Sequence, residues 1–147
     1  MPLSKKIKYI NIVGLSSILV YGLLLFINFD NLPDKVPVHI NFKGQIDDYG
    51  SKYSLIMFLV LNIIIFAGIL LVIKNSHIAN YPVKITEENK SVLYYRMQFF
   101  LSLLSVLTSL VFSFFVFKSF DMVTEYFYFM IITIILPLTI ILIFVRK

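Results

Sequence analysis

The sequence contains no cysteine and only two histidines, His39 and His77. The lack of cysteine excludes disulfides, thiolate metal sites, iron–sulfur clusters and cysteine nucleophiles. Charge is also scarce, because 14% of the 147 residues are charged against about 25% in a typical globular domain. With 59% hydrophobic residues, a soluble domain of this length could not bury enough apolar surface. The composition therefore predicts an integral membrane protein.

Four stretches of the chain carry no charged side chain: 9–29, 53–73, 97–117 and 126–145. A helix of about 20 residues, rising about 1.5 Å per residue, crosses a hydrocarbon core of about 30 Å. Backbone groups in lipid must pair within their own segment, which selects helices. The sequence thus predicts a single all-α membrane domain over 1–147, with four transmembrane helices, and Pro137 should kink the fourth.

Lysine and arginine are distributed unequally between the two sides of these predicted spans. Nine belong to the side with both termini and the 74–96 loop: Lys5, Lys6, Lys8, Lys74, Lys84, Lys90, Arg96, Arg146 and Lys147. Four belong to the side with the 30–52 loop: Lys35, Lys43, Lys52 and Lys118. Because the richer side is usually cytoplasmic, we expect both termini inside and the 30–52 loop outside. The basic excess is then an orientation signal, and no nucleic-acid partner is predicted.

Small and polar residues within the predicted spans follow helical spacing. The third span has one such face, formed by Ser102, Ser105, Ser109 and Ser113. The first span has a similar face with Asn11, Gly14, Ser17, Tyr21 and Asn28. The second span has Asn62 and Gly68. Faces of this kind let helices pack closely in lipid. We interpret them as packing seams, with a polar pathway through the bundle as the alternative.

The loop 30–52 has a period-two pattern. The apolar residues Val36, Val38, Ile40 and Phe42 alternate with Pro37, His39 and Asn41. This alternation predicts an extended stretch whose apolar side faces the membrane or the bundle. Turn chemistry places a first turn at Lys43-Gly44-Gln45, a return strand from Ile46-Asp47, and a second turn at Gly50. We therefore expect a small hairpin-like loop with a wetter face that carries His39, Asn41 and Asp47.

The residue types of this loop bear on two kinds of site, a metal site and a catalytic site. His39, Asp47 and Asp48 offer one imidazole and two carboxylates, but catalytic zinc sites usually have more nitrogen or sulfur ligands. His77 is expected on the other side of the membrane. A hydrogen bond from His39 to Asp47 that fixes the loop is the favoured reading. The sequence has no P-loop, HExxH or hydrolase nucleophile motif, so we predict neither a metal, a cofactor nor an enzyme activity.

The loop 74–96 contains a helix-start signal. Tyr81-Pro82 marks a break in the chain, and Thr86 follows as a candidate N-cap. Glu87 and Glu88 would then lie in the first helical turn, where the helix dipole favours carboxylates. We expect this helix to lead directly into the third span.

The loop 30–52 also carries a family resemblance. Its pattern is Leu32-Pro33-Asp34-Lys35-Val36-Pro37-Val38-His39-Ile40-Asn41, followed by Gly44, Asp47 and Gly50-Ser51-Lys52. This pattern resembles the signature of domain of unknown function 1648, which forms the N-terminal part of the Sdp immunity family. Those bacterial membrane proteins protect a cell from its own sporulation-delaying toxin. The resemblance implies candidate binding residues at Pro33, Pro37, His39, Asn41, Gly44, Asp47, Gly50, Ser51 and Lys52.

The resemblance further implies a multi-pass protein of the bacterial cell membrane, with a protective or sensing role that needs no chemistry. Its expected partners are the lipid bilayer, a toxic peptide at the outer face, and further copies of the chain as a homo-oligomer. Two alternatives remain open. One is a small oligomeric transporter or channel subunit, although the spans lack the ionisable group that proton coupling requires. The other is a regulatory subunit whose 74–96 loop binds a cytoplasmic partner.

Overall fold

The computed structural model describes residues 3–41, 43–81 and 83–124. These residues form α1 (Lys5–Ile27), β1 (Lys35–Ile40), β2 (Ile46–Ser51), α2 (Tyr53–Lys74) and α3 (Lys90–Ser119). Short 3-10 helices at Phe29–Asn31 and Ser76–Ile78 follow α1 and α2. The predicted fourth span, 126–145, and its Pro137 lie outside the described residues.

The helices α1, α2 and α3 are each long and apolar enough to cross a membrane. They contain most of the predicted spans 9–29, 53–73 and 97–117. The first helix begins earlier than its uncharged stretch because Ser4 caps it, and the Ser4 hydroxyl accepts a hydrogen bond from the Ile7 N–H at 3.3 Å. The described part of the chain is therefore mostly helical, with three candidate membrane-spanning helices.

The helix α3 packs against both α1 and α2, and more of it is buried than of either neighbour. Large apolar side chains of α1 and α2, such as Val20, Phe26 and Ile64, are exposed instead. An apolar surface of this extent on the outside of a helix bundle is suited to contact with lipid. The helical part of the molecule thus buries polar residues on α3 and exposes apolar ones on α1 and α2.

One apolar cluster joins the hairpin to the helices at the end where α1 and α3 finish and α2 begins. Its buried members are Ile18, Tyr21, Leu25, Leu32, Val36, Leu55, Phe66 and Val116. Leu32 lies in the link after α1 and Val36 lies in β1, so the segment that leads into the hairpin packs against the helix bundle at two points. Burial of a side chain of this size stabilises the fold by about 1.5–3 kcal/mol.

The strands β1 and β2 form an antiparallel hairpin in which Val36 lies opposite Gly50 and Pro37 opposite Tyr49. The pairing becomes irregular around His39. Burial follows the predicted alternation only in part, since Val36 and Pro37 are both buried while Val38 is half-buried. The cause is that β1 is pressed against α3, which covers Pro37 as well. Phe42, expected on the apolar side, lies outside the described residues.

The prediction of a second turn at Gly50 was wrong. Gly50 is inside β2, which continues to Ser51. A Cβ atom at Gly50 would lie 2.9 Å from Val38 Cγ1 and 3.3 Å from Ser54 Oγ. Glycine is needed here because the Val38 side chain of the neighbouring strand lies close to the Gly50 backbone. In the sequence, a glycine required for close approach cannot be distinguished from a glycine required for a turn.

Thr86 makes a cap-type hydrogen bond as predicted, but the continuous helix begins later than predicted. The helix α3 begins at Lys90 and no acidic residue lies in its first turn. Thr86 and Asn89 form the reciprocal bonds of a capping box in the turn just before the helix, and the Lys90 N–H bonds the Thr86 carbonyl at 2.9 Å. The Asn89 side chain accepts from the Thr86 N–H at 2.8 Å, and the Thr86 hydroxyl accepts from the Asn89 N–H at 3.4 Å. Glu87 and Glu88 belong to this turn.

Gly68 does not belong to a packing seam, contrary to its grouping with Asn62. Gly68 is exposed, and among the described residues no atom lies within 4 Å of a Cβ atom placed there. Gly14 does lie in a seam, because a Cβ atom there would lie 2.9 Å from the Phe66 ring. The two glycines look alike in the sequence but face opposite environments.

Candidate functional site

The turn of the hairpin is built by Asn41 and Gly44. The Asn41 Oδ1 atom accepts hydrogen bonds from the N–H groups of Lys43 at 2.9 Å and Gln45 at 3.1 Å. The Asn41 backbone bonds Gln45 and Gly44 as well. Gly44 has a φ of 78°, a left-handed conformation that glycine adopts without strain. Both residues therefore shape the loop.

His39 and Asp47 meet across the two strands, as predicted. The His39 Nδ1 atom lies 2.5 Å from Asp47 Oδ1, and the two side chains are 63% and 42% exposed. This contact is open to solvent, while Val36 and Pro37 near the start of β1 are buried. The hairpin is thus anchored at its base and exposed further along, where an imidazole and a carboxylate are held together.

Two further residues of β2 are exposed beside this pair, Asp48 and Tyr49, and neither belongs to the predicted binding set. Asp48 Oδ1 accepts a hydrogen bond from the Tyr49 backbone N–H at 2.8 Å. The Tyr49 side chain is 57% exposed. We define the hairpin face as His39, Asp47, Asp48 and Tyr49. The sequence signal that could have identified Asp48 and Tyr49 was the polar run after Ile46. Such a run predicts an exposed strand, and β2 has no buried residue.

The remaining predicted site residues support the hairpin. The Lys52 Nζ atom lies 3.8 Å from Asp34 Oδ1 and 5.4 Å from the centre of the Phe29 ring. The Ser51 hydroxyl accepts a hydrogen bond from the Tyr53 N–H, the first residue of α2, at 3.4 Å. Pro33 is exposed, before β1, and is not part of the hairpin face.

The hairpin face offers two carboxylates and one imidazole, but the structure does not gather them around one point. Across the described parts of the chain, no group of three or more His, Cys, Asp or Glu side chains is placed to hold a metal ion. Asp48 is directed to its own backbone through Tyr49, while Asp47 is directed to His39. The arrangement is suited to recognition through hydrogen bonds and charge.

A second polar feature is buried among the three helices. Asn11 of α1 donates a hydrogen bond to the Ser102 hydroxyl at 2.9 Å and to the Ile7 carbonyl at 2.8 Å. The Ser105 hydroxyl donates to Asn11 Oδ1 at 3.4 Å. Thus two residues of the serine face of α3 bond to α1 of the same chain.

The same buried feature continues to α2. Asn62 donates a hydrogen bond to the Tyr21 hydroxyl at 2.6 Å, and the Ser109 hydroxyl donates to Asn62 Oδ1 at 3.5 Å. Gln98, which the sequence reasoning missed, donates to the Ile73 carbonyl at 3.2 Å. We call the set of Asn11, Tyr21, Asn62, Gln98, Ser102, Ser105, Ser109 and Ser113 the polar seam. Among the described residues, every buried side-chain nitrogen and oxygen has a hydrogen-bond partner.

At the end opposite the hairpin, Tyr81 anchors the link between α2 and α3. Its hydroxyl donates a hydrogen bond to the Ser76 carbonyl at 2.6 Å, and its ring centre lies 5.7 Å from that of Tyr94. Burial raises the pKa of the Tyr81 phenol above its usual value of 10.0, and the nearby Tyr94 phenol adds to the rise. The neutral phenol is therefore the form that this contact stabilises.

Comparison with known proteins places the hairpin inside a family match. Residues 17–73 match the model of a family described as domain of unknown function 1648. The match begins within α1, includes the whole hairpin and ends within α2, which confirms the resemblance to that domain. No curated protein and no solved structure matches the chain.

Proposed function

We propose, from the premise that residues 17–73 are a domain of unknown function 1648, that the chain is a multi-pass protein of the bacterial cell membrane with an immunity-type role. The hairpin lies at the outer surface in this proposal. Its face, His39, Asp47, Asp48 and Tyr49, binds a toxic peptide and prevents its action without chemistry. The bilayer is the second partner.

One observation carries the proposal: the hairpin is fixed at the start of β1 and exposed at His39 and over most of β2. Val36 is buried in the cluster with Leu55 and Val116, so β1 is held against the bundle. His39 and Asp47 pair in the exposed part. A pre-positioned polar surface of this kind loses little freedom on binding, which favours recognition of a partner.

The charge distribution supports the orientation. The described residues Lys5, Lys6, Lys8, Lys74 and Arg96 lie at the end of the bundle opposite the hairpin. A membrane protein usually keeps its basic-rich end in the cytoplasm. Single cysteines introduced at Asp34 and Glu87 test this, because the native chain has none. We expect an impermeant thiol reagent to label intact cells at position 34 only, and labelling at position 87 alone would invert the orientation.

Survival of toxin-sensitive bacteria tests the function directly. Cells that express the chain are challenged with membrane-active peptides of sporulation-delaying type, and survival is compared with that of cells carrying an empty vector. We expect the wild type to protect against at least one peptide. Failure to protect against every peptide, at normal membrane levels of the protein, would overturn the proposal.

Variants of the hairpin face locate the activity. His39→Ala and Asp47→Asn remove the paired groups, so each should reduce protection while the protein still inserts into the membrane. Glu88→Gln is the matched control, because Glu88 is an exposed carboxylate at the opposite end of the bundle. Protection that depends on Glu88 and not on His39 or Asp47 would place the function at the wrong end.

A second candidate, a small oligomeric channel or transporter subunit, is favoured by the polar seam. Three of its residues, Asn11, Asn62 and Ser109, are at most 8% exposed and lie within helices long enough to cross a membrane. Polar residues in such helices often mark ion or substrate pathways. Ion or dye flux through proteoliposomes that contain the purified chain tests this candidate. Flux through the wild type that is lost in Asn62→Leu would support the channel. The immunity-type proposal expects no flux through the wild type.

A further inference from the structure

We infer that the free edge of β2 binds an extended basic peptide by strand addition. This inference rests on the proposed function and gives its mode of recognition. In this arrangement the peptide backbone pairs with the backbone of β2 around Tyr49, and a lysine or arginine of the peptide contacts the Asp48 carboxylate. The partner becomes a third strand of the sheet, a recurring mode of peptide recognition.

The first observation is that β2 has an open edge. The sheet in the described part of the chain has two strands, β1 and β2. The strand β1 packs against α3, and its Val36 and Pro37 are buried. In β2, Asp47, Asp48 and Tyr49 are all exposed. The edge that is accessible to a peptide is therefore that of β2.

The second observation is the direction of the backbone groups of Tyr49. Tyr49 lies opposite Pro37, which has no N–H to offer. The Lys52 N–H bonds the Asp34 carbonyl at 3.1 Å, and hydrogen-bonded pairs alternate with non-bonded pairs in an antiparallel ladder. Counting from that bond makes Tyr49 and Pro37 a non-bonded pair. The N–H and C=O of Tyr49 therefore point away from β1.

The third observation is what meets the Tyr49 N–H now. Its partner is the carboxylate of the preceding residue, with Asp48 Oδ1 at 2.8 Å. The carboxylate oxygen stands where a third strand would place a carbonyl oxygen. An incoming peptide supplies its own carbonyl, and the released Asp48 carboxylate is then free to pair with a cation on the peptide. The exchange keeps the Tyr49 N–H bonded throughout.

Charge selects the peptide over a second copy of the chain. The exposed residues Asp47 and Asp48 make this edge acidic, and a charged edge opposes pairing with another like-charged edge. A peptide with positive charge is instead attracted to it. Self-pairing of two β2 edges is therefore an outcome that the experiment must distinguish.

Binding to the full chain in lipid nanodiscs tests the inference. The probe is a fluorescent, end-blocked peptide of sequence Lys-Val-Lys-Val-Lys-Val, compared with its backbone N-methylated form and with Glu-Val-Glu-Val-Glu-Val. We expect the first peptide to bind and both others to bind at least about tenfold more weakly, because N-methylation removes about two backbone hydrogen bonds. Equal binding of the N-methylated peptide would overturn strand addition. This comparison uses the unmodified protein, so a folding defect of a variant cannot affect it.

Substitution of Tyr49 provides the matched protein variants. Tyr49→Pro removes the outward N–H, which makes no bond to β1, so the hairpin should keep its pairing. We expect this variant to bind the Lys-Val peptide about tenfold more weakly, while Tyr49→Phe, which keeps the N–H, loses clearly less affinity than Tyr49→Pro does. Wild-type affinity in Tyr49→Pro would overturn the inference, as would a dimer that Tyr49→Pro abolishes, since the edge would then take a second copy.

The survival assay separates this inference from the proposed function. Protection that is lost in His39→Ala but retained in Tyr49→Pro would leave the immunity-type role standing and reject strand addition. Absence of protection by the wild type would reject the role itself, whatever the peptide-binding result. Loss of both protection and peptide binding in Tyr49→Pro, with a clearly smaller loss of each in Tyr49→Phe, would support both the role and strand addition.

Discussion

The Asn62 amide on α2 donates a hydrogen bond to the Tyr21 hydroxyl on α1 at 2.6 Å, and both side chains are 0% exposed. The two residues are 41 positions apart in the chain. Asn62 also accepts from Ser109 of α3. One amide therefore connects all three helices at a depth where neither water nor lipid reaches it.

Replacement of Asn62 by leucine should weaken this junction. We expect Asn62→Leu to lower the free energy of unfolding by about 1 kcal/mol, since interhelical hydrogen bonds in membrane proteins contribute about that much. Unfolding in mixed micelles by titration with a denaturing detergent measures the change. Tyr21→Phe removes the same bond, so the double variant should lose less than the two single losses added together. Full additivity would show that the pair is not coupled.

Gly14 and Gly68 should respond differently to the same substitution. Gly14→Ala places a methyl group 2.9 Å from the Phe66 ring, and overpacking of this kind costs about 1–3 kcal/mol. Gly68→Ala meets none of the described residues, so the better helix propensity of alanine should leave stability unchanged or slightly raised. The same detergent titration measures both variants. Phe66→Leu should partly rescue Gly14→Ala, and equal effects of the two glycine variants would contradict the packing described above.

Gly50 should tolerate alanine only if Val38 is reduced. Gly50→Ala brings a methyl group to 2.9 Å from Val38 Cγ1, so we expect the hairpin to lose about 1–3 kcal/mol of stability. Adding Val38→Ala removes the clashing atoms and should restore part of the loss. Protease resistance of the 30–52 segment reports the result. If Val38→Ala gives no rescue, the close approach of the two strands is not the reason for glycine.

The Tyr81 contact should depend on pH in the alkaline range. The folded state raises the pKa of Tyr81 through burial, so its contribution is fully present below the usual phenol pKa and is lost as the pH rises through the raised value. We expect the wild type to exceed Tyr81→Phe by about 1 kcal/mol near neutral pH, the value of one hydrogen bond. Unfolding measured from neutral to strongly alkaline pH should show the difference decreasing to zero. A difference that grows with pH would have the wrong sign.

The spans show how much the sequence predicts without tertiary information. The uncharged stretches 9–29, 53–73 and 97–117 correspond to α1, α2 and α3. This works because lipid imposes its demand on each segment separately: a segment that crosses must be apolar and must pair its own backbone. The His39–Asp47 contact was predictable for a similar reason, since the alternating pattern around a glycine turn brings nearby residues face to face.

Helix starts and glycine roles were less predictable, because several local readings compete. Thr86 and Asn89 are both capable of capping a helix, and their mutual hydrogen bonds form a turn that delays α3 to Lys90. Gly50 is a residue type that is common in turns, but it lies within the strand β2. In each case a neighbouring side chain decided between conformations that the residue itself allows equally.

The sequence by itself determined the membrane class of this protein, three of its helices and the polar character of the hairpin, because the bilayer and the period of a strand act on neighbouring residues. Only the tertiary structure decided which polar groups meet. Asn11 and Ser102 are 91 positions apart, and no local pattern relates them. The docking of the hairpin has the same kind of cause: β1 packs against α3, and that contact depends on how distant apolar side chains fit together.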